Sequence, residues 1–194
     1  MPTAYLAGPI QDKKDYGKEW REDLAPRLLE LGIKSIDPTR EKPLIDALGE
    51  YGAIEERILA LNRAKTEGNW ETVKKIMHTI WTYNKKWVDE SDFLIVYCAV
   101  QDSMGGTIRE MHEAYEYKKP IFLVLEGDPV RANSHILSMV LDSGRIFQNF
   151  DELLKYLKIY EPEVLSQAIS SLVLFSWSFY SKSKKVPDLS FIKN

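Results

Sequence analysis

Two unbroken apolar runs, Phe93-Leu94-Ile95-Val96-Tyr97 and Ile121-Phe122-Leu123-Val124-Leu125, do most to restrict what this chain can fold into. A strand with one wet face alternates apolar and polar residues. A run without alternation suits a strand covered on both faces, as in a parallel sheet between helical layers. Between the two runs lies Gly105-Gly106-Thr107-Ile108-Arg109-Glu110-Met111-His112-Glu113-Ala114, which reads as a glycine-broken loop leading into one helix. In an open α/β sheet such a loop lies at the carboxyl end of a strand, where ligands bind. Glu110, in the first turn of that helix, then faces the crevice. Thr107 and Glu110 also have capping-box spacing, by which the pair does no more than start a helix.

The same order of elements opens the chain. Ala4-Tyr5-Leu6-Ala7 makes a short strand that ends at Gly8-Pro9, and a helix over about 15–31 follows, with Trp20, Leu24, Leu28 and Leu31 at helical spacing. Gly32 stops it, residues 33–36 form a second strand, and Asp37-Pro38 places an acid where that strand ends. Residues 45–64 and 70–88 are helical in pattern and break at Gly68-Asn69. They form a helical hairpin inserted before the third strand (about 45–88), which either walls a pocket or packs on a second subunit. Beyond the fourth strand come a helix through 136–141, a short edge strand Arg145-Ile146-Phe147 and a helix through 153–157. The expected architecture is α/β: a three-layer, open, mainly parallel five-stranded sheet of the Rossmann or flavodoxin type. It occupies residues 1–160, and 161–194 add a C-terminal helical extension. The middle of its helix at 164–180 is apolar nearly all round, as expected for burial against this domain or a partner subunit.

Composition narrows the function. With 28% charged residues and a net charge of -3 over 194 residues, the chain has no broad attraction for nucleic acid polymers or anionic membranes. A single cysteine, Cys98, excludes an intramolecular disulfide framework and suits a reducing, cytoplasmic setting, with an inert thiol next to a strand. No secretory signal core or membrane-length apolar run is evident. His112 has no second histidine one turn away to make a metal pair, and neither metal nor cofactor is expected.

Several of these segments together resemble the nucleoside 2-deoxyribosyltransferase superfamily, which includes deoxynucleoside-monophosphate N-glycosidases and CMP hydrolases. Tyr5-Leu6-Ala7-Gly8-Pro9 is similar to its first strand and turn, and Ser91-Asp92-Phe93-Leu94-Ile95-Val96-Tyr97 to its third strand. Gly106-Thr107-Ile108-Arg109-Glu110, with Ala114 and Lys119-Pro120-Ile121, is similar to its catalytic helix and next strand. The likeness covers residues 3–157 and leaves out the hairpin and the tail after Glu161.

The resemblance implies that Glu110 attacks the anomeric carbon of a nucleoside and that Tyr5 hydrogen-bonds this nucleophile, orienting it and favouring its ionised form. Packing beneath the sheet is the plainer role for Tyr5. Gly105 and Gly106 let backbone amides approach a sugar hydroxyl or phosphate, or simply form a turn; Ser103 and Thr107 add hydroxyls there. Gly8, Pro9, Asp37 and Asp102 complete the substrate-binding candidates on the crevice side, although a solvated loop aspartate is the commoner case. Asn133, with Ser134 and His135, falls where the family contributes to a neighbouring subunit's pocket, so a homo-oligomer is expected. Asn84 stands where the family commonly carries an aspartate that assists the departing base, and an amide is a poor proton shuttle. Either another acid substitutes, with Asp89, Asp102 and His135 as candidates, or the leaving group needs little protonation, or catalysis has been lost. For a phosphate, Arg109, Lys13 and Lys14 are the cations at hand.

The expected activity is cleavage of the N-glycosidic bond of a (deoxy)nucleoside or nucleoside monophosphate through a covalent glycosyl-Glu110 intermediate, with transfer of deoxyribose to another nucleobase. The alternatives are a nucleoside 5′-monophosphate N-glycosidase that transfers to water, and a nucleotide-binding module without turnover. The partners in each case are a nucleoside or nucleotide and, for transfer, a free nucleobase.

Overall fold

Five strands pair in parallel: β1 (Thr3–Ala7), β2 (Lys34–Ile36), β3 (Phe93–Ala99), β4 (Ile121–Glu126) and β5 (Arg145–Phe147). Their order across the sheet is β2-β1-β3-β4-β5, the flavodoxin-like arrangement. The computed structural model describes residues 1–11 and 13–159, so the extension expected at 161–194 and its apolar helix lie outside the described residues. Around the sheet stand α1 (Lys18–Glu30), α2 (Lys42–Leu48), α3 (Ile54–Thr66), α4 (Trp70–Glu90), α5 (Gly105–Glu116), α6 (Ser134–Ser143) and α7 (Phe150–Ile159).

Strand residues divide by parity between two apolar layers, which is why the runs do not alternate. Ala4, Leu6, Phe93, Ile95, Phe122 and Val124 pack with Leu24 and Leu28 of α1 and Leu153 and Leu157 of α7. Tyr5, Leu94, Val96, Ile121, Leu123 and Leu125 pack on the opposite face with Leu44, Ile76, Trp87, Met111, Ala114 and Val140, from α2, α4, α5 and α6. Each such aliphatic or aromatic side chain removed from water contributes about 1.5–3 kcal/mol before chain entropy is counted.

The helix expected over 45–64 is instead two. α2 ends at Gly49, whose φ of 58° favours glycine, and a 3-10 turn over Gly49–Tyr51 follows. A Cβ on Gly52 would lie 2.5 Å from the Ile45 carbonyl oxygen, so the chain can turn this tightly only with glycine there. Apolar spacing runs through the break and conceals it in the sequence. The second arm, α4, agrees with its pattern, and Asn69 caps it by accepting from Thr72 N at 3.1 Å.

At the sheet's far edge, a Cβ on Gly144 would stand 1.7 Å from the Ile121 carbonyl oxygen. Gly144→Ala therefore pushes β5 away from β4. The expected loss is about 2–3 kcal/mol, seen as a fall of about 5–10 °C in Tm followed by circular dichroism. Among the described residues no helix is long and apolar enough to cross a membrane.

Candidate active site

β1 and β3 are neighbours whose following helices cover opposite faces: α1 packs with the layer of Leu6 and Ile95, α5 with that of Tyr5 and Leu94. The chain splits apart at their carboxyl ends and leaves a crevice. A cavity of about 250 Å³ lies there. One side is Gly8, Pro9, Ile10 and Gln11 after β1; another is Ser103, Gly105, Gly106 and Thr107 entering α5. The hairpin supplies the rest, with Ile54, Arg57, Ile58 and Leu61 from one face of α3 and Met77, Ile80, Trp81 and Asn84 from one face of α4. Of the two roles open to the hairpin, it fills the first and walls a pocket.

Glu110 is the buried carboxylate of this cavity, 8% exposed. α5 begins at Gly105, with Met104 as N-cap and no side-chain cap, so the capping box is not formed. The amide of Ile108 already bonds the Met104 carbonyl at 2.7 Å. Gly105, Gly106 and Thr107 are thus the first turn rather than a loop, and their amides precede the first intrahelical bond. Glu110 consequently sits in the second turn, past the free amides, and looks across the sheet instead. Its Oε1 accepts from the Tyr5 hydroxyl at 2.9 Å and from Asn84 Nδ2 at 2.7 Å. Oε2 takes no protein donor among the described residues. Nor is it sealed in, because the one enclosed, unpartnered side-chain atom among those residues is Asn84 Oδ1. Oε2 therefore opens on the cavity.

Burial pushes the Glu110 carboxyl up to about 7, with a small contribution from Glu113, against the opposing effects of the Tyr5 bond, the Arg21 charge and the Asn84 bond. The tyrosine does favour the ionised form, but loss of water outweighs it. Tyr5 itself is wholly buried, and burial together with the adjacent carboxylate holds its hydroxyl well above the usual range, so it stays a proton donor.

Arg21 supports the arrangement from below. It is 1% exposed and donates to the carbonyls of Leu6 at 3.3 Å, Gly17 at 2.6 Å and Gly8 at 3.1 Å, with Asp37 Oδ1 3.6 Å from Nε. Sequence reasoning passed over it. The available signal was an arginine three residues before Leu24 on the apolar face of α1, where a charge has no place without partners.

Of the residues singled out in the sequence, Gly8, Pro9, Asn84, Ser103, Gly105, Gly106, Thr107 and Glu110 line the cavity, and Tyr5 lies behind it. Three do not line it. Asp37 accepts from Thr39 N at 2.9 Å and Thr39 Oγ1 at 2.7 Å, closing its own turn. Asp102 accepts from Ala99 N at 2.7 Å and pairs with Lys13 Nζ at 2.9 Å. Asn133 is exposed and caps α6 by accepting from His135 N at 2.9 Å. In each case a short polar side chain at a strand or loop end is satisfied by nearby backbone before any ligand is considered.

The proposed substitutes for a proton donor fare similarly: Asp89 and His135 are exposed away from the cavity, and Asp102 is engaged. Among the suggested cations, Lys13 is paired with Asp102, and Lys14 is exposed off the cavity. Arg109 reaches the lining but pairs with Glu113 at 3.3 Å. Two further lining residues, Arg57 and Glu113, were missed. Glu113 follows Glu110 at helical spacing, and Arg57 interrupts the apolar stripe of α3. Cys98 is buried, and burial pushes its thiol up to about 12, leaving it inert.

No protein-family model matches the sequence, and no curated protein does. Among solved structures the chain is similar to a 2-deoxyribosyltransferase from Bacillus psychrosaccharolyticus, at 17% identity over 84% of this chain and 95% of that one, TM-score 0.48. It is also similar to a conserved protein from Enterococcus faecalis, at 15% identity over 82% and 98% of the two chains, TM-score 0.49. A CMP N-glycosidase from Clostridium botulinum matches at 18% identity over 81% and 98%, TM-score 0.46.

Proposed function

We propose that this protein cleaves the N-glycosidic bond of a deoxynucleoside or its monophosphate, with Glu110 as nucleophile. The observation that carries the proposal is the asymmetry of one carboxylate: Oε1 is held by Tyr5 and Asn84, while Oε2 opens on the cavity. Oε2 attacks C1′, the C1′–N bond breaks, and its electron pair leaves with the base. The positive charge that builds on the sugar is met by the carboxylate and then captured as a glycosyl ester. A second base or a water displaces Glu110, and two displacements restore the starting anomeric configuration. Transfer of deoxyribose to another nucleobase is the first reading. Release to water from a nucleoside monophosphate is the second, favoured by the buried cation Arg57 in the wall. Deoxyribosides are the easier substrates, since a 2′-hydroxyl disfavours charge at C1′.

The test is a chromatographic screen of deoxynucleosides, ribonucleosides and their monophosphates, each with and without a second free base, beside Glu110→Ala. Base release or exchange that vanishes in the variant supports the proposal, and dependence on added base separates transfer from hydrolysis. Binding without turnover of any substrate would instead make this a nucleotide-binding module.

Asn84 provides a sharper probe. Its amide donates to a carboxylate and, rotated, accepts from a carboxylic acid, so it accommodates Glu110 in either state. Asn84→Asp places a second carboxylate at this 2.7 Å contact. Two such groups cannot both ionise easily, so the acid limb of kcat/KM is expected to move upward from about 7 by at least about one pH unit. An unmoved limb would show that Asn84 does not face the reacting carboxylate in solution.

A further inference from the structure

We propose that Arg57 is the anion-binding residue of the cavity and that the substrate presents a phosphate monoester to it. Arg57 lies on the stripe of α3 that faces the cavity, between Ile54 and Ile58, and is only 3% exposed. Its Nε donates to the Tyr51 carbonyl at 3.4 Å and Nη2 to the Gly52 carbonyl at 2.8 Å. These bonds hold the guanidinium against the turn that precedes α3, but neutral carbonyls do not balance its charge. Nη1 takes no protein acceptor among the described residues and is not sealed in, so it is the nitrogen left for a ligand.

No carboxylate pairs with Arg57 among the described residues. The two carboxylates in the wall are engaged elsewhere, Glu113 with Arg109 at 3.3 Å and Glu110 with Tyr5 and Asn84. Burial pulls the Arg57 guanidinium down to about 10, which leaves it charged at neutral pH.

A buried, unpaired guanidinium costs several kcal/mol, and a bound anion removes that cost where a neutral nucleoside cannot. A phosphate monoester supplies the charge and accepts a charge-assisted bond. The free amides of Gly105, Gly106 and Thr107 at the start of α5 line the same cavity and favour the same sign of ligand. That the phosphate is carried by a nucleoside rests on the proposed glycosidic chemistry; the anion site itself does not.

The experiment uses the Glu110→Gln protein, in which nothing turns over. Calorimetric titration compares deoxynucleosides, their 5′-monophosphates and inorganic phosphate, then repeats the series with Arg57→Met and Arg57→Lys added. The monophosphate is expected to bind about 30-fold tighter than its nucleoside, the scale of a hydrogen bond to a charged group. Arg57→Met should reduce that preference to about 3-fold or less, and Arg57→Lys should keep part of it. Equal affinity for nucleoside and monophosphate with Arg57 intact overturns the proposal, as does a preference that survives Arg57→Met. Should the methionine variant not fold, Arg57→Lys decides: a preference clearly weaker than that of the Arg57 protein supports the proposal, and an undiminished one overturns it. If inorganic phosphate binds in an Arg57-dependent way while no nucleoside or nucleotide does, the anion site stands and the glycosidic reading fails.

Discussion

Glu110→Gln is expected to abolish base release and exchange while making the folded protein more stable above neutral pH. Glutamine keeps the size of the side chain and an oxygen to accept from Tyr5 and Asn84, so binding geometry survives, but an amide is no nucleophile. Loss of a covalent step of this kind costs on the order of 10⁴-fold or more in kcat. The gain in stability follows from the same burial. The carboxyl is held at about 7 in the fold against an ordinary value of 4.5. Between those values the folded state binds a proton that the unfolded chain has released. Stability from this source is complete below about 4.5 and is lost as pH rises through about 7, amounting to about 3 kcal/mol. Glutamine has no charge to desolvate. Urea unfolding should therefore show the variant and the parent close together at pH 5 and the variant ahead at pH 8; a pH-independent difference would sink the burial argument. In the parent, kcat/KM should climb with pH and level off above about 7, as the carboxylate forms.

The second large effect is structural. Arg21→Met is expected to cost about 3–5 kcal/mol, because it strips the donor from three backbone carbonyls and leaves Asp37 without its buried counter-charge. The damage is local in a telling place. The carbonyls belong to Leu6 and Gly8 at the end of β1 and to Gly17 ahead of α1, so Arg21 ties down the loop that carries Gly8 and Pro9 to the cavity. Arg21 also holds the Glu110 carboxyl lower than burial alone would leave it. Unfolding by urea should show the loss directly, and at a temperature where the variant remains folded the acid limb of its pH profile should lie above that of the parent. Arg21→Lys retains a charge but not the planar fork, and should fall between the two in stability while holding the limb close to its original position. A limb that stays put in both variants would mean that Arg21 acts on folding alone.

What could be read in the sequence and what could not divide along a physical line. The apolar pentads at 93–97 and 121–125, the glycine-proline stop after Ala7 and the pattern of α4 are local statements about burial and backbone freedom, and they determined the parallel sheet, the helical hairpin and the end of the sheet at which Glu110 stands. Which polar side chains reach a ligand is another matter. Asp37 and Asp102 occupy suitable positions by chain order, yet each is engaged within a few residues by amides or hydroxyls that only the folded turn brings near. The capping box at Thr107 and Glu110 is locally sound, but it does not form because the N-cap of α5 is Met104, three residues earlier. The pairing of Tyr5 with Glu110 spans 105 positions and that of Asn84 with Glu110 spans 26. The sequence alone determined which elements form and which residue types they carry. Only the tertiary structure decided that Tyr5, Asn84 and Glu110 share one bonded cluster, that Arg57 is buried without a counter-ion among the described residues, and that water is excluded enough to lift a carboxyl toward neutrality, because desolvation depends on everything packed around a group and not on its neighbours in the chain.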